Sequence, residues 1–166
     1  RLRIRLMGTS YGWRPGDPRL LQAIADEAGV GDLVEEIPER VSYRGSLEAL
    51  LRADGALVLG VDDAGYVPSK LSSYGLSGKP LLAVFRRDGP AYAEMVANPG
   101  IGHVLWFEDS EIMPAEDAAA EVGYFLEEAL SRRKFDRTVA LGPYLGEAMA
   151  RRHVELFDAC LEKAGS

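Results

Sequence analysis

At 166 residues, 47% hydrophobic and 27% charged, the chain has the size and composition of one soluble globular domain. No apolar run approaches the roughly 20 residues of a membrane span. Nineteen Lys and Arg against 26 Asp and Glu give a net charge of −7, which lacks the basic footprint of a duplex nucleic-acid binder and disfavours docking on anionic lipid. Cys160 is the only cysteine, which excludes an intramolecular disulfide and a thiolate zinc cluster and points to a reducing compartment, the cytoplasm.

The chain opens on an alternating pattern, with Leu2, Ile4 and Leu6 on one face and Arg1, Arg3 and Arg5 on the other, which predicts a strand. It opens there with no leader, so a fragment of a longer protein is expected. A loop follows Gly8-Thr9-Ser10 and carries Tyr11, Trp13 and Pro15. Asp17 before Pro18 reads as an N-cap with proline at the first helical position. Leu20, Leu21, Ile24, Ala25 and Ala28 recur at helical spacing, and Gly29 and Gly31 close that helix. The next strand falls within residues 33–37 or at 40–43, on one side or the other of Pro38. Ser46 reads as the N-cap of a short helix with Leu47, Leu50 and Leu51 inward.

Residues 56–61 are apolar without alternation, the mark of a central parallel strand covered on both faces. Asp62-Asp63-Ala64-Gly65 breaks it, and Pro68-Ser69-Lys70-Leu71 opens a helix that runs to about Leu76. Residues 81–85 and 103–107 are two further apolar strands, separated by a helix at 91–97 that stops at Asn98-Pro99-Gly100. A long helix is predicted over 114–132, with Val122, Phe125, Leu126, Ala129 and Leu130 inward. A polar linker follows over 133–138, and then a last helix over 144–163 with Leu145, Met149, Leu156, Phe157 and Leu161 inward. Strands and helices alternate five or six times. The expected fold is α/β, a Rossmann-like, doubly wound, mostly parallel sheet with helices on both faces.

In such a sheet, ligands bind where the chain leaves the carboxyl ends of strands. Gly8-Thr9-Ser10 offers a glycine that admits close backbone approach and two hydroxyls for phosphate oxygens, although a simple turn accounts for it as well. Residues 60–70 run from a buried strand into a helix N-terminus, where free amides, the Ser69 hydroxyl and the Lys70 charge make an anion site. On the competing reading, Asp62 or Asp63 is a cap and Lys70 is a solvated surface residue. Two adjacent carboxylates on an extended chain face opposite sides, so Asp62 and Asp63 suit a loop better than a metal. Neither a nucleophile elbow nor a Gly-x-Gly-x-x-Gly turn follows the first strand, which lowers a dinucleotide dehydrogenase. Tyr11, Trp13 and Tyr66 are loop aromatics able to stack on a base or sugar. His103 reads as structural, His153, beside Arg151 and Arg152, as part of a solvated charged helix face, and Cys160 as a small buried residue.

Two stretches carry a family resemblance. Arg40-Val41-Ser42-Tyr43-Arg44-Gly45-Ser46-Leu47, with Ala53-Asp54-Gly55-Ala56-Leu57-Val58-Leu59, resembles a strand, short helix and "ADxxLxL" strand. Tyr66-Val67-Pro68-Ser69-Lys70-Leu71-Ser72-Ser73-Tyr74-Gly75-Leu76-Ser77-Gly78-Lys79-Pro80-Leu81-Leu82-Ala83 is similar to "PSKLxEYLAxGKPxLA". Both patterns belong to the C-terminal, donor-binding domain of GT-B-fold glycosyltransferases. The resemblance implies a nucleotide-sugar-binding domain over 1–142. It also implies a terminal helix over 143–166 that packs on that domain or on a missing N-terminal Rossmann-like domain. Gly8, Thr9, Ser10, Gly65, Tyr66, Ser69 and Lys70 would lie near the donor diphosphate, and Tyr43, Arg44, Asp62, Asp63 and Ser73 near its base and ribose. Catalysis would be electrostatic stabilisation of the departing nucleoside diphosphate, with no cofactor and no bound metal. Many retaining members carry two glutamates eight positions apart here. Aligned on Gly78-Lys79-Pro80, those positions are Gly65 and Ser73, which leaves ribose recognition to Asp62 or Asp63 or dispenses with it. The alternative is a non-catalytic Rossmann-like binding or interaction module that keeps the fold without the donor site. A nucleotide-sugar epimerase, a weaker third reading, would need acid and base residues not found here.

Overall fold

The computed structural model describes residues 2–10, 12 and 14–164, so the loop aromatics Tyr11 and Trp13, and Arg1, lie outside the described residues. Strands and helices alternate along the chain and the sheets are mostly parallel, as expected from the sequence. The chain divides into two compact units, Arg1–Ala49 and Leu50–Ser166.

In the first unit, β1 (Ile4–Met7) pairs in parallel with β2 (Val34–Ile37), Ile4 opposite Val34 and Met7 opposite Ile37. Helix α1 (Leu20–Glu27) connects them and packs on β2. It buries Ala25, while Leu20 and Ile24 stay exposed, so its inward stripe is narrower than the spacing suggests. Asp17 is not the N-cap. Its carboxylate accepts the Arg14 N–H at 2.8 Å, and the helix starts after Arg19. The second strand is the 34–37 alternative, and residues 40–43 are not a strand. Helix α2 (Tyr43–Arg52) begins three residues before the expected Ser46 cap. Ser42 Oγ accepts the Gly45 N–H at 3.1 Å, the bond an N-cap makes, and Ser46 Oγ instead donates to the Tyr43 carbonyl one turn back. The boundary between the units falls within α2.

In the second unit, β3 (Ala56–Leu59), β4 (Leu81–Arg86) and β5 (His103–Glu108) run parallel in that order. A short β6 (Glu111–Ile112), not expected from the sequence, returns antiparallel on β5. The strand with buried residues on both faces is β4, where Leu81, Leu82, Ala83 and Phe85 are all buried. By contrast β3 stands at the end of this sheet's order, with Leu59 46% exposed, and so is not the central strand. Helices α3 (Lys70–Leu76) and α4 (Pro90–Ala97) lie in the crossovers, and α5 (Ala115–Leu130) packs on β5. The core joins Val58, Leu71, Leu81, Phe85, Met95, Ile101 and Leu141. Gly55 admits the edge of Phe125 from α5: a Cβ there would sit 2.6 Å from the ring.

Residues 133–138, expected as a linker, are strapped to the unit. Arg137 is 3% exposed. Its Nε donates to the Gly100 carbonyl at 3.0 Å, one Nη donates to the Lys79 carbonyl at 2.8 Å, and the guanidinium lies over Phe135. The Phe135 N–H donates to the Gly78 carbonyl, and Leu141 is buried just beyond. Helix α6 (Gly146–Ala164) departs most from expectation. Leu156, Phe157 and Leu161 are more than half exposed, and Leu130 at the end of α5 is 84% exposed. Cys160, read as a buried residue, is exposed. Among the described residues no helix is long and apolar enough to cross a membrane.

Candidate functional site

In the first unit, the turn after β1 has Gly8 at φ +67°, a conformation that disfavours any side chain, and the Gly8 N–H donates to the Ile37 carbonyl. Thr9 Oγ1 donates to Glu36 Oε1 at 2.7 Å. Glu36, on β2, is 3% exposed, and its other oxygen accepts the Gln22 N–H at 2.9 Å. The carboxylate thus satisfies the Gln22 amide in the first turn of α1, which Arg19, at the N-cap, leaves without a side-chain cap, and it lies near the Leu21 amide. Burial by itself raises the Glu36 pKa. The Thr9 hydroxyl, the two amides and the Arg19 charge outweigh burial and hold it below the ordinary carboxylate value. Ser10 is exposed. Tyr43 and Arg44 stand in the first turn of α2, not at a strand end. Tyr43 is 77% exposed, and Arg44 pairs with Glu48 at 3.0 Å, one turn along.

In the second unit, the connection from β3 to α3 carries the remaining candidates. Asp63 Oδ1 accepts the Gly65 N–H at 2.8 Å, and the Asp63 carbonyl accepts the Tyr66 N–H at 3.1 Å. This Asx turn engages two of the amides that the sequence offered to an anion. Ser69 and Lys70 follow, both exposed, and no side-chain partner of either is seen among the described residues. Ser73 Oγ donates back to the Lys70 carbonyl at 3.0 Å.

Asp62 is held by Arg86, the last residue of β4, which the sequence reading did not single out. One Nη of Arg86 reaches Asp62, and the other reaches Asp109 at 3.0 Å and Asp88 at 3.1 Å. Its Nε lies 2.7 Å from Asp88, outside hydrogen-bonding direction. These aspartates follow the ends of β3, β4 and β5. The hydrogen bonds that Arg86 donates to Asp88, then Asp62, then Asp109 raise its pKa, and Arg86 in turn holds Asp88 below the ordinary carboxylate value. A cavity of about 10 Å³ lies against Gly60, Asp63, Tyr66 and Arg86, room for about one water. Asp62 and Asp63 join no cluster of three or more side chains placed for a metal among the described residues.

The structure therefore joins Thr9 to Glu36, Asp62 to Arg86, and Asp63 to Gly65 and Tyr66. It leaves Ser69 and Lys70 open. A sequence signal existed for two of the missed residues: Glu36 puts a carboxylate inside a short strand pattern, and Arg86 ends the most apolar strand with Asp88 two positions on. Comparison with protein-family models, curated proteins and solved structures finds no match to this chain.

Proposed function

We propose that this chain is the donor-binding half of a GT-B-type glycosyltransferase and takes the diphosphate of a nucleotide sugar at Ser69 and Lys70. The observation that carries the reading is the state of these two side chains. Both are exposed and without a partner among the described residues, in the connection from the carboxyl end of a parallel strand to the next helix. In open α/β sheets, such connections are where ligands sit. An ammonium beside a hydroxyl neutralises a diphosphate oxygen and bonds it. As the glycosidic bond breaks, negative charge grows on that group, and the same contacts stabilise the departing nucleoside diphosphate. The similarity of residues 66–83 to the donor-site pattern supports the reading. The acceptor and the rest of the active site would come from a partner Rossmann-like domain.

The second reading, a non-catalytic α/β module, is favoured by the engaged amides of Gly65 and Tyr66 and by the Thr9 hydroxyl turned onto Glu36. Thermal-shift titration with UDP, GDP and dTDP separates the two. A nucleotide at one hundred times its Kd should stabilise the protein by about 2.7 kcal/mol. The donor-binding reading expects that shift with at least one of them and its loss in Lys70→Ala, whose melting without ligand is unchanged. No shift with any of the three leaves the module reading standing.

A further inference from the structure

We infer that Glu36 fills, from within the protein, the anion position of the 8–10 turn, so that a donor's diphosphate is excluded from this turn. The identity of the excluded ligand rests on the donor-binding reading; closure of the turn to anions does not. A first-turn amide of α1 and the Thr9 hydroxyl converge here beside the left-handed Gly8, the kind of donor set that receives a phosphate oxygen at a strand–turn–helix junction. The residue at the N-cap, Arg19, offers no side-chain acceptor, so the amides would otherwise need an outside anion or water. Glu36 reaches them from the neighbouring strand, 3% exposed and bonded through both oxygens. Each carboxylate oxygen of Glu36 thus already holds one of these donors. A phosphate brought to the same donors would displace Glu36 or sit beside it, and two like charges a few ångströms apart away from water repel strongly. The position that a nucleotide would take is thus held by a side chain whose release would leave the Gln22 amide and the Thr9 hydroxyl without their partner.

The test is an amide-resolved NMR titration of the whole chain with sodium pyrophosphate. In the wild type, the Leu21 and Gln22 amides and Thr9 should stay unmoved, while Ser69 and Lys70 shift saturably. In Glu36→Ala, the Leu21 and Gln22 amides should acquire a saturable shift of their own, because the same donors are now unoccupied. Saturable movement of Leu21 or Gln22 in the wild type overturns the inference, and so does a folded Glu36→Ala whose Leu21 and Gln22 ignore pyrophosphate. Should Glu36→Ala not fold, the wild-type titration decides. Silence at Ser69 and Lys70 counts against the donor-binding reading alone.

Discussion

Replacing Arg137 by methionine tests whether residues 133–141 are structural or merely connecting. Methionine keeps an apolar stem of similar reach and removes the guanidinium. Two good hydrogen bonds disappear, at 3.0 Å to Gly100 and 2.8 Å to Lys79, together with a weaker one at 3.4 Å to Gly75. A bond from a charged donor contributes roughly 1.5–3 kcal/mol, and the carbonyls it leaves, on exposed Gly100 and half-buried Lys79, regain part of that from water. Removing the buried charge recovers part of its desolvation cost, which offsets some of the loss. The net expectation is about 3 kcal/mol, at ~2–4 °C per kcal/mol a fall in Tm of roughly 6–12 °C. Urea unfolding followed by circular dichroism reads the free energy. Hydrogen exchange at the Phe135 amide, which donates to Gly78, reads whether the strap itself has loosened. A cost under about 1 kcal/mol with unchanged exchange at Phe135 would refute the reasoning.

Gly55→Ala should cost about 1–3 kcal/mol in the same assay, because its Cβ would lie 2.6 Å from the Phe125 ring; a neutral result would mean the ring moves freely. Phe85→Ala should cost about 3–5 kcal/mol, whereas Phe157→Ala should stay within about 0.5 kcal/mol, since Phe85 is 2% exposed and Phe157 62%. Equal costs would show that α6 packs on something in solution. Glu36 makes stability pH-dependent with a defined sign. Its folded pKa is lowered, so its contribution is present in full above the unfolded value and is lost as pH falls through the folded one. Acid titration of thermal stability should show that loss in the wild type and a shallower one in Glu36→Gln; identical profiles would contradict it.

The sequence made the alternation and most strands legible, because apolar runs such as residues 81–85 leave one reading when turn residues bound them. Helix starts were less legible. Asp17 and Ser46 are both good caps by type, but Asp17 is drawn to the Arg14 amide and Ser46 to a carbonyl one turn back. The position of β3 in its sheet was also hidden, since an apolar strand that exposes one face reads like one covered on both. Leu156, Phe157 and Leu161 have helical spacing, which tells that a face is apolar and not what meets it. At the site, residue type announced Ser69 and Lys70. Apart from Arg86 with Asp88, two positions on, Glu36, Arg86 and Arg137 act through partners 14–62 positions away, and chain order does not reveal those pairings. Both aspartates of the 62–63 pair were noticed, yet their partners, Arg86 and the Gly65 amide, decide what they do.

The most direct measurement is calorimetric titration of the best-binding nucleoside diphosphate, and of its monophosphate, into the wild type and Lys70→Ala. The donor-binding account predicts that the substitution weakens the diphosphate at least about tenfold, near 1.4 kcal/mol, and weakens the monophosphate less. Equal affinity of the two proteins for the diphosphate, or no binding by either, would contradict it.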